Sequence, residues 1–184
     1  MRNILFSLSL LTVLFFVGCG SQHNLPATDE GDMPEWFTNP PNDPNFLYAA
    51  KTESSRDMQM ALDKALNGGR AEIARQVEVK MQSLEKQFKE EVGEAENSTM
   101  LQQFTQATKS VTNQSLSGSR VKEQKLMQDG NTWRAYVLVE YPIGAANVQL
   151  MEAMKKNQEM YTRFRSTQTF EELDKEIQKL EGSK

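Results

Sequence analysis

An apolar run at the N-terminus that closes on the chain's only cysteine constrains the fold more than any other feature. Residues 4–17 are almost all apolar, Arg2 precedes them, and Phe16-Val17-Gly18-Cys19 ends the run. Fourteen residues at 1.5 Å each are too short for a hydrocarbon core of roughly 30 Å, but suit the hydrophobic region of an export signal. The small residue before a cysteine reads as a lipobox, with Phe16, Val17 and Gly18 recognised by a lipoprotein signal peptidase and Cys19 acylated. The expected anchor is a diacylglyceryl group plus an N-acyl chain on Cys19, since two or three chains hold a protein firmly where one does so only marginally. Residues 1–18 are then absent from the mature protein, and the sole cysteine is a thioether. The rest of the chain must fold by packing alone, without disulfides.

The whole chain carries a formal net charge of −4, and loss of Arg2 with the leader makes the remainder one unit more negative. With no basic patch in view, nucleic acid is not an expected partner. The membrane, through the acyl anchor, is. Gly20 follows the cysteine in place of the aspartate that retains lipoproteins at the inner membrane in many enteric bacteria, which favours the outer membrane.

Residues 19–32 are polar, with proline and glycine, and read as a tether. The single histidine, His23, falls here and is expected to be solvated. Met33-Pro34-Glu35-Trp36-Phe37 with Pro40-Pro41 reads as an extended arm that packs its aromatic rings on the domain. Residues 42–45 read as a turn.

Residues 46–52 suit a first strand, and Ser54-x-x-Asp57 suits a capping box opening a helix. Met58, Ala61, Leu62, Ala65 and Leu66 give that helix a face of small residues fit to lie close on a sheet. Gly68-Gly69 marks a kink or a close approach. A phosphate loop would require further glycines, a lysine and a preceding strand. Val77, Val79 and Met81 alternate with polar residues and predict a half-buried strand. Residues 84–111 predict one broken helix or a helix–loop–helix. Strands are expected over 116–127 and 132–141, joined through Asp129-Gly130. In the second of these, Trp133, Ala135, Val137, Val139 and Tyr141 share one apolar face.

The C-terminal stretch is helical by spacing. Thr169 and Glu172 suggest a capping box, and Phe170, Leu173, Ile177 and Leu180 form an apolar seam spaced 3-4-3. Under two heptads, that seam is too short for a coiled coil alone. It either folds back on the domain or is a partner-contact surface. The predicted fold is α+β: a small antiparallel sheet packed on a long helix, with a helical insert and C-terminal helices. The domain is placed at residues 33–142 and a C-terminal helical extension at 143–184.

The lipobox, Pro34-x-Trp36 with Pro40-Pro41, Leu47-Tyr48-Ala49-Ala50 and the alanine-spaced helix together resemble the lipoprotein-20 family of bacterial surface lipoproteins. The Val77-x-Val79 segment and the Asp129-Gly130 hairpin running into Tyr136-Val137-Leu138-Val139 extend the resemblance over residues 33–142. That family is similar in turn to the N-terminal domains of flagellum-associated outer-membrane proteins of the FlgP and FlgT type. The resemblance implies no catalytic residues, no metal and no cofactor.

Two classes of function follow. One is an acyl-anchored envelope protein acting through protein–protein contacts, as a homo-oligomer or with a partner. The other is a module binding a small apolar ligand or a cell-wall component, suggested only by the ten methionines. Methionines more often fill core gaps. An enzyme is the least expected outcome. One histidine and one acylated cysteine, both ahead of the domain, supply neither a Ser-His-Asp set nor a metal-ligand cluster.

Overall fold

The computed structural model describes residues 33–93 and 97–182, apart from the side chains of residues 180 and 181. Its longest element, α2 (Met58–Val92), follows a one-turn helix α1 (Glu35–Thr38) and strand β1 (Phe46–Ser55). Asp57 starts α2 by accepting the Met60 N–H at 2.7 Å, which satisfies one of the donors a helix start leaves open. The expected capping box at Ser54 is therefore displaced, because β1 continues through Ser55. Ala61, Ala65, Gly69, Ile73, Val77, Met81, Leu84, Phe88 and Val92 are buried along α2. Their spacing of four, once three, draws one stripe down the whole helix.

That stripe corrects the strand expected at residues 77–81. Val77 and Met81 are four apart and 1% exposed, whereas Val79 between them is 56% exposed. The same residues satisfy an alternating and a helical pattern. Helix prevails because the stripe runs on unbroken to either side.

At 1.5 Å per residue α2 is about 52 Å long, while strands of ten or eleven residues span only about 33–36 Å. The helix therefore overhangs the sheet. Its first half lies on the strands, and its second half collects the remaining helices.

The sheet has the order β1-β3-β2, completed by β2 (Arg120–Asp129) and β3 (Thr132–Pro142). Both pairings are antiparallel, running from Phe46↔Pro142 to Ser55↔Trp133 and from Arg120↔Glu140 to Asp129↔Thr132. Gly130 turns the β2–β3 hairpin with φ +57°, in the region that favours glycine. Ala135, Val137, Val139 and Tyr141 are buried on one face of β3 and meet the α2 side. At Gly69 the two layers come close. A Cβ there would lie 2.5 Å from Val139 Cγ2, so the glycine pair marks a close approach.

The other face of β3 is buried too, at Tyr136, Leu138 and Glu140. The N-terminal arm lies on this side. Phe37 meets the Tyr136 ring edge-on at 5.0 Å, and Trp36 packs on Phe37 at 6.4 Å. The aromatics thus dock on the domain as expected, although from a single helical turn rather than extended chain. The Asn45 N–H then bonds Asp43 Oδ1 at 2.8 Å, closing the expected turn into β1.

Helix α3 (Ser98–Gly118) reaches further than anticipated. Leu116, expected to open a strand, is in its last turn and 41% exposed, and β2 begins only at Arg120. The remaining helices are α4 (Ile143–Lys155), α5 (Gln158–Phe164) and α6 (Gln168–Gly182). Phe88 of α2 stacks on Phe104 of α3 at 4.5 Å, and Phe164 of α5 closes on them at 5.5 and 5.6 Å. Leu150, Met154, Met160, Phe164 and Leu173 share one buried cluster with the α2 stripe. Met33–Lys184 is accordingly one compact unit. Residues 143–182, the C-terminal helical extension, supply a wall of that core, because α2 needs cover beyond the sheet.

Candidate functional site

Phe16, Val17, Gly18 and Cys19, with His23, lie outside the described residues. The other candidate surface, the C-terminal seam, is turned inward. Leu173 is 1% exposed, and Ile177 and Phe170 pack against the core. Phe170 meets Phe164 at 5.5 Å and Tyr161 at 6.3 Å. The side chain of Leu180 lies outside the described residues.

Two carboxylates that the sequence reading missed fix α6 in this position. Glu91, near the end of α2, accepts the N–H groups of Gln168 and Thr169 at 2.6 and 3.1 Å and the Thr169 hydroxyl at 2.5 Å. A negative charge is favourable at a helix start. Thr167 Oγ1 also accepts the Phe170 N–H at 3.2 Å. The cap thus sits two residues before the expected Thr169, whose hydroxyl is a donor to Glu91 instead. Near the middle of α6, Glu176 accepts from Lys80 Nζ at 2.5 Å and from Asn147 Nδ2 at 2.6 Å. Burial pushes its carboxyl up, but the Lys80 and Asn147 hydrogen bonds outweigh that and hold it below the ordinary value.

A further polar cluster lies on the outer face of the sheet. Tyr48, Glu140 and Arg120 are in register across the three strands. Glu140 is 5% exposed, and its two oxygens accept from Arg120 Nε at 2.7 Å and Lys122 Nζ at 3.1 Å. A register shift between Val121 and Glu123 marks a bulge at Lys122, the kind of irregularity that re-aims a side chain. Both cations also rest on aromatic rings, Arg120 over Phe46 at 5.9 Å and Lys122 over Tyr48 at 5.6 Å. Burial raises the Glu140 carboxyl, yet the hydrogen bonds and charges of Arg120 and Lys122 prevail and leave it lowered. A carboxylate held ionised by two donors is a clip between β2 and β3, and a poor proton donor near neutrality. Its only sequence signal was an acid within the apolar stretch from Ala135 to Tyr141.

The sign of the acid response follows. Glu140 is lowered in the folded state from the ordinary carboxyl value of 4.5, so its stabilisation is present above that value and lost as pH falls through the folded one. Glu140→Gln is expected to reduce stability at pH 7 by about 1 kcal/mol, the partners being partly exposed. The gap between the two proteins should close below pH 4.5 in denaturant titrations stepped from pH 7 to pH 3. A gap independent of pH would remove Glu140 from the acid response.

Between α2 and α3 runs a crevice of about 730 Å³ lined by Met81, Glu85, Lys86 and Lys89 on one side and Thr105, Thr108, Lys109 and Thr112 on the other. Thr105 Oγ1 donates to Glu85 Oε1 at 2.6 Å across it. Its lining residues carry hydroxyl and charged groups on aliphatic stems, so the crevice offers both polar and apolar surface. Among the described residues no three His, Cys, Asp or Glu side chains converge as a metal site, and no helix is long and apolar enough to cross a membrane.

Comparison with curated proteins and with solved structures gave no match. The profile of the LPP20 lipoprotein family matches residues 34–141, from the buried proline of the arm to the last buried tyrosine of β3 and over more than half of the chain. The chain belongs to the LPP20 lipoprotein family.

Proposed function

We propose that this envelope lipoprotein is held at the outer membrane by acyl chains on Cys19 and acts there as a structural or assembly protein, through contacts with a protein partner or with further copies of itself. The observation that carries this reading is the lipobox: an apolar leader of the right length ending at the only cysteine, ahead of a domain that the family assigns to a lipoprotein. A role in contacts rather than in chemistry is supported by the composition, since the one histidine and the one cysteine both precede the domain. Glu140 and Glu176, two of the carboxylates with lowered pKa and several donors, are each spent on joining elements of the fold. Met81, Met151, Met154 and Met160 are core residues, which weighs against the apolar-ligand reading. A ring or disc subunit at a flagellar motor is one form of the assembly role, and motility of a strain lacking the protein tests it.

Cys19→Ser is expected to move the protein from the membrane to the soluble fraction on cell fractionation. Retention in the membrane would defeat the anchor. Light scattering of residues 20–184 over a concentration series tests self-assembly, with a discrete oligomer expected if copies are the partner. Leu173 is unsuitable as a contact probe, because its burial means that a polar substitution would loosen the core itself.

A further inference from the structure

The sheet has two edges, and the fold treats them differently. β1, at one edge, is covered by α2, and Gln76 of that helix donates its Nε2–H to the Tyr48 carbonyl at 3.0 Å. β2, at the other, scarcely touches α2 and is exposed over most of its length. Among the described residues β3 is the only strand paired with it. Bulges and charged side chains commonly blunt an edge against added strands. Here they gather at the start of β2, where the bulge falls at Lys122 and Glu140 holds both Arg120 and Lys122. From Glu123 to Asp129 the pairing with β3 is regular.

That regular stretch fixes which backbone groups are left over. The two-residue turn makes Asp129 and Thr132 a hydrogen-bonded pair, and bonded and non-bonded pairs then alternate along the antiparallel ladder. Asp129, Met127 and Lys125 therefore spend their backbone groups on β3, while those of Gln128, Leu126 and Gln124 point outward from the sheet. A row of this kind accepts another strand. Side-chain charge selects which. Lys125, Met127 and Asp129 share the outer face, opposite Tyr136, Arg134 and Thr132 of β3. Take an antiparallel copy of the same segment with Met127 on the two-fold axis. Lys125 then meets Asp129 of the second copy, twice by symmetry. A parallel copy in register would set like charges against each other, which is destabilising. In the antiparallel register Leu126 and Gln128 form the hydrogen-bonded pair, and the two Met127 side chains face each other at the more closely spaced, non-hydrogen-bonded position.

We infer that residues 125–129 of β2 pair with the same segment of a second copy of this chain, joining two three-stranded sheets into one of six strands. The inference rests on the assembly role proposed above and names its surface. Its failure would still leave a different protein as the partner. A pairing this short makes a small interface, of the transient class. Acyl chains that hold both copies in one bilayer raise its occupancy by raising the local concentration.

The test is disulfide trapping in the full-length protein, purified in detergent and mildly oxidised. Met127→Cys puts a thiol on the axis, where Cα atoms about 4.5 Å apart suit a disulfide. Val79→Cys is the control, because Val79 lies on α2 and is the more exposed of the two. Met127→Cys is expected to yield the dimer at least about tenfold faster, since pairing makes the reaction effectively intramolecular. On that background Lys125→Glu and Asp129→Lys should each abolish the excess. A mixture of the two should restore it, because only the mixed pair sets opposite charges together at both positions. Equal rates at positions 127 and 79 would overturn the inference. So would charge changes that leave the rate unaltered, or a mixture that stays slow. The unsubstituted protein, with Cys19 as its only cysteine, is oxidised alongside. A disulfide dimer from it would defeat the acylation of Cys19, and the same rates would then decide the inference in a Cys19→Ser background.

Discussion

Phe164→Ala is expected to lower stability by about 3–5 kcal/mol, the usual cost of truncating a fully buried aromatic residue. For a chain of this size that corresponds to a fall in Tm of roughly 10 °C. Phe164 is 0% exposed and is the ring at which four helices meet. It contacts Phe88 of α2 at 5.5 Å, Phe104 of α3 at 5.6 Å and Phe170 of α6 at 5.5 Å. Edge-on ring contacts add about 0.5–1.5 kcal/mol beyond area burial, and alanine would remove three together. The same variant asks whether the C-terminal helices belong to the domain. Trp133 sits at the far end of the sheet and reports on the strands, while far-UV circular dichroism is dominated by helix. Both signals should shift to the same lower midpoint in a denaturant titration. An unchanged Trp133 transition would show that α5 and α6 are an appended unit, contrary to the shared core.

The adjacent glycines of α2 should respond to alanine in opposite directions. Alanine is favoured over glycine inside a helix by about 1 kcal/mol, and at Gly68 nothing opposes that gain. The nearest atom to a new Cβ there is Lys51 Cγ at 3.8 Å, an ordinary contact. Gly68→Ala should therefore raise stability by up to about 1 kcal/mol. At Gly69 the new Cβ would stand 2.5 Å from Val139 Cγ2 and 3.3 Å from Val139 Cβ. Val139 is in the central strand and 1% exposed, so it cannot swing into solvent. Helix and sheet must separate, and overpacking of this kind costs about 1–3 kcal/mol. Net destabilisation near the top of that range is expected, because the clash falls in the middle of the interface between layers. Val139→Ala removes the clashing methyl, so the double substitution should be more stable than the sum of the singles predicts, by about 1–2 kcal/mol. Additive effects would show that the layers meet differently at Gly69.

Local signals that depend on few atoms were legible before any tertiary structure was known. Gly130 turns the hairpin because a positive φ suits glycine. Asp43 shapes the turn before β1 through its own side chain. The aromatic arm had to pack somewhere, and Tyr136 supplies the place. The helix caps proved less legible. Any Ser, Thr or Asp near a helix start can serve, and the choice fell to Asp57 and Thr167 once the strand and the α5–α6 turn had taken their lengths.

Of the candidate site, the proposed lipobox rests on sequence alone, since a linear motif of this kind needs no fold around it and its residues lie outside the described ones. The C-terminal seam was not. Phe170, Leu173 and Ile177 present the same 3-4-3 spacing whether they meet another subunit or their own core. The decision came from α2, which outruns its sheet and leaves Phe88 and Phe104 to be covered. Glu140 was invisible for a similar reason, since its burial depends on Arg120 and Lys122 arriving from a neighbouring strand.

By itself, then, the sequence determined the α+β class, the hairpin and, with a single cysteine, the lack of any disulfide within the chain. Each follows from chain-local chemistry: residue period, φ preference and cysteine count. Only the tertiary structure decided that residues 77–81 are helix and that the last helices close the core. Tertiary packing also made Glu140 a buried clip. These outcomes depend on which apolar stripe is left uncovered and which charges meet across strands, and long-range packing alone sets both.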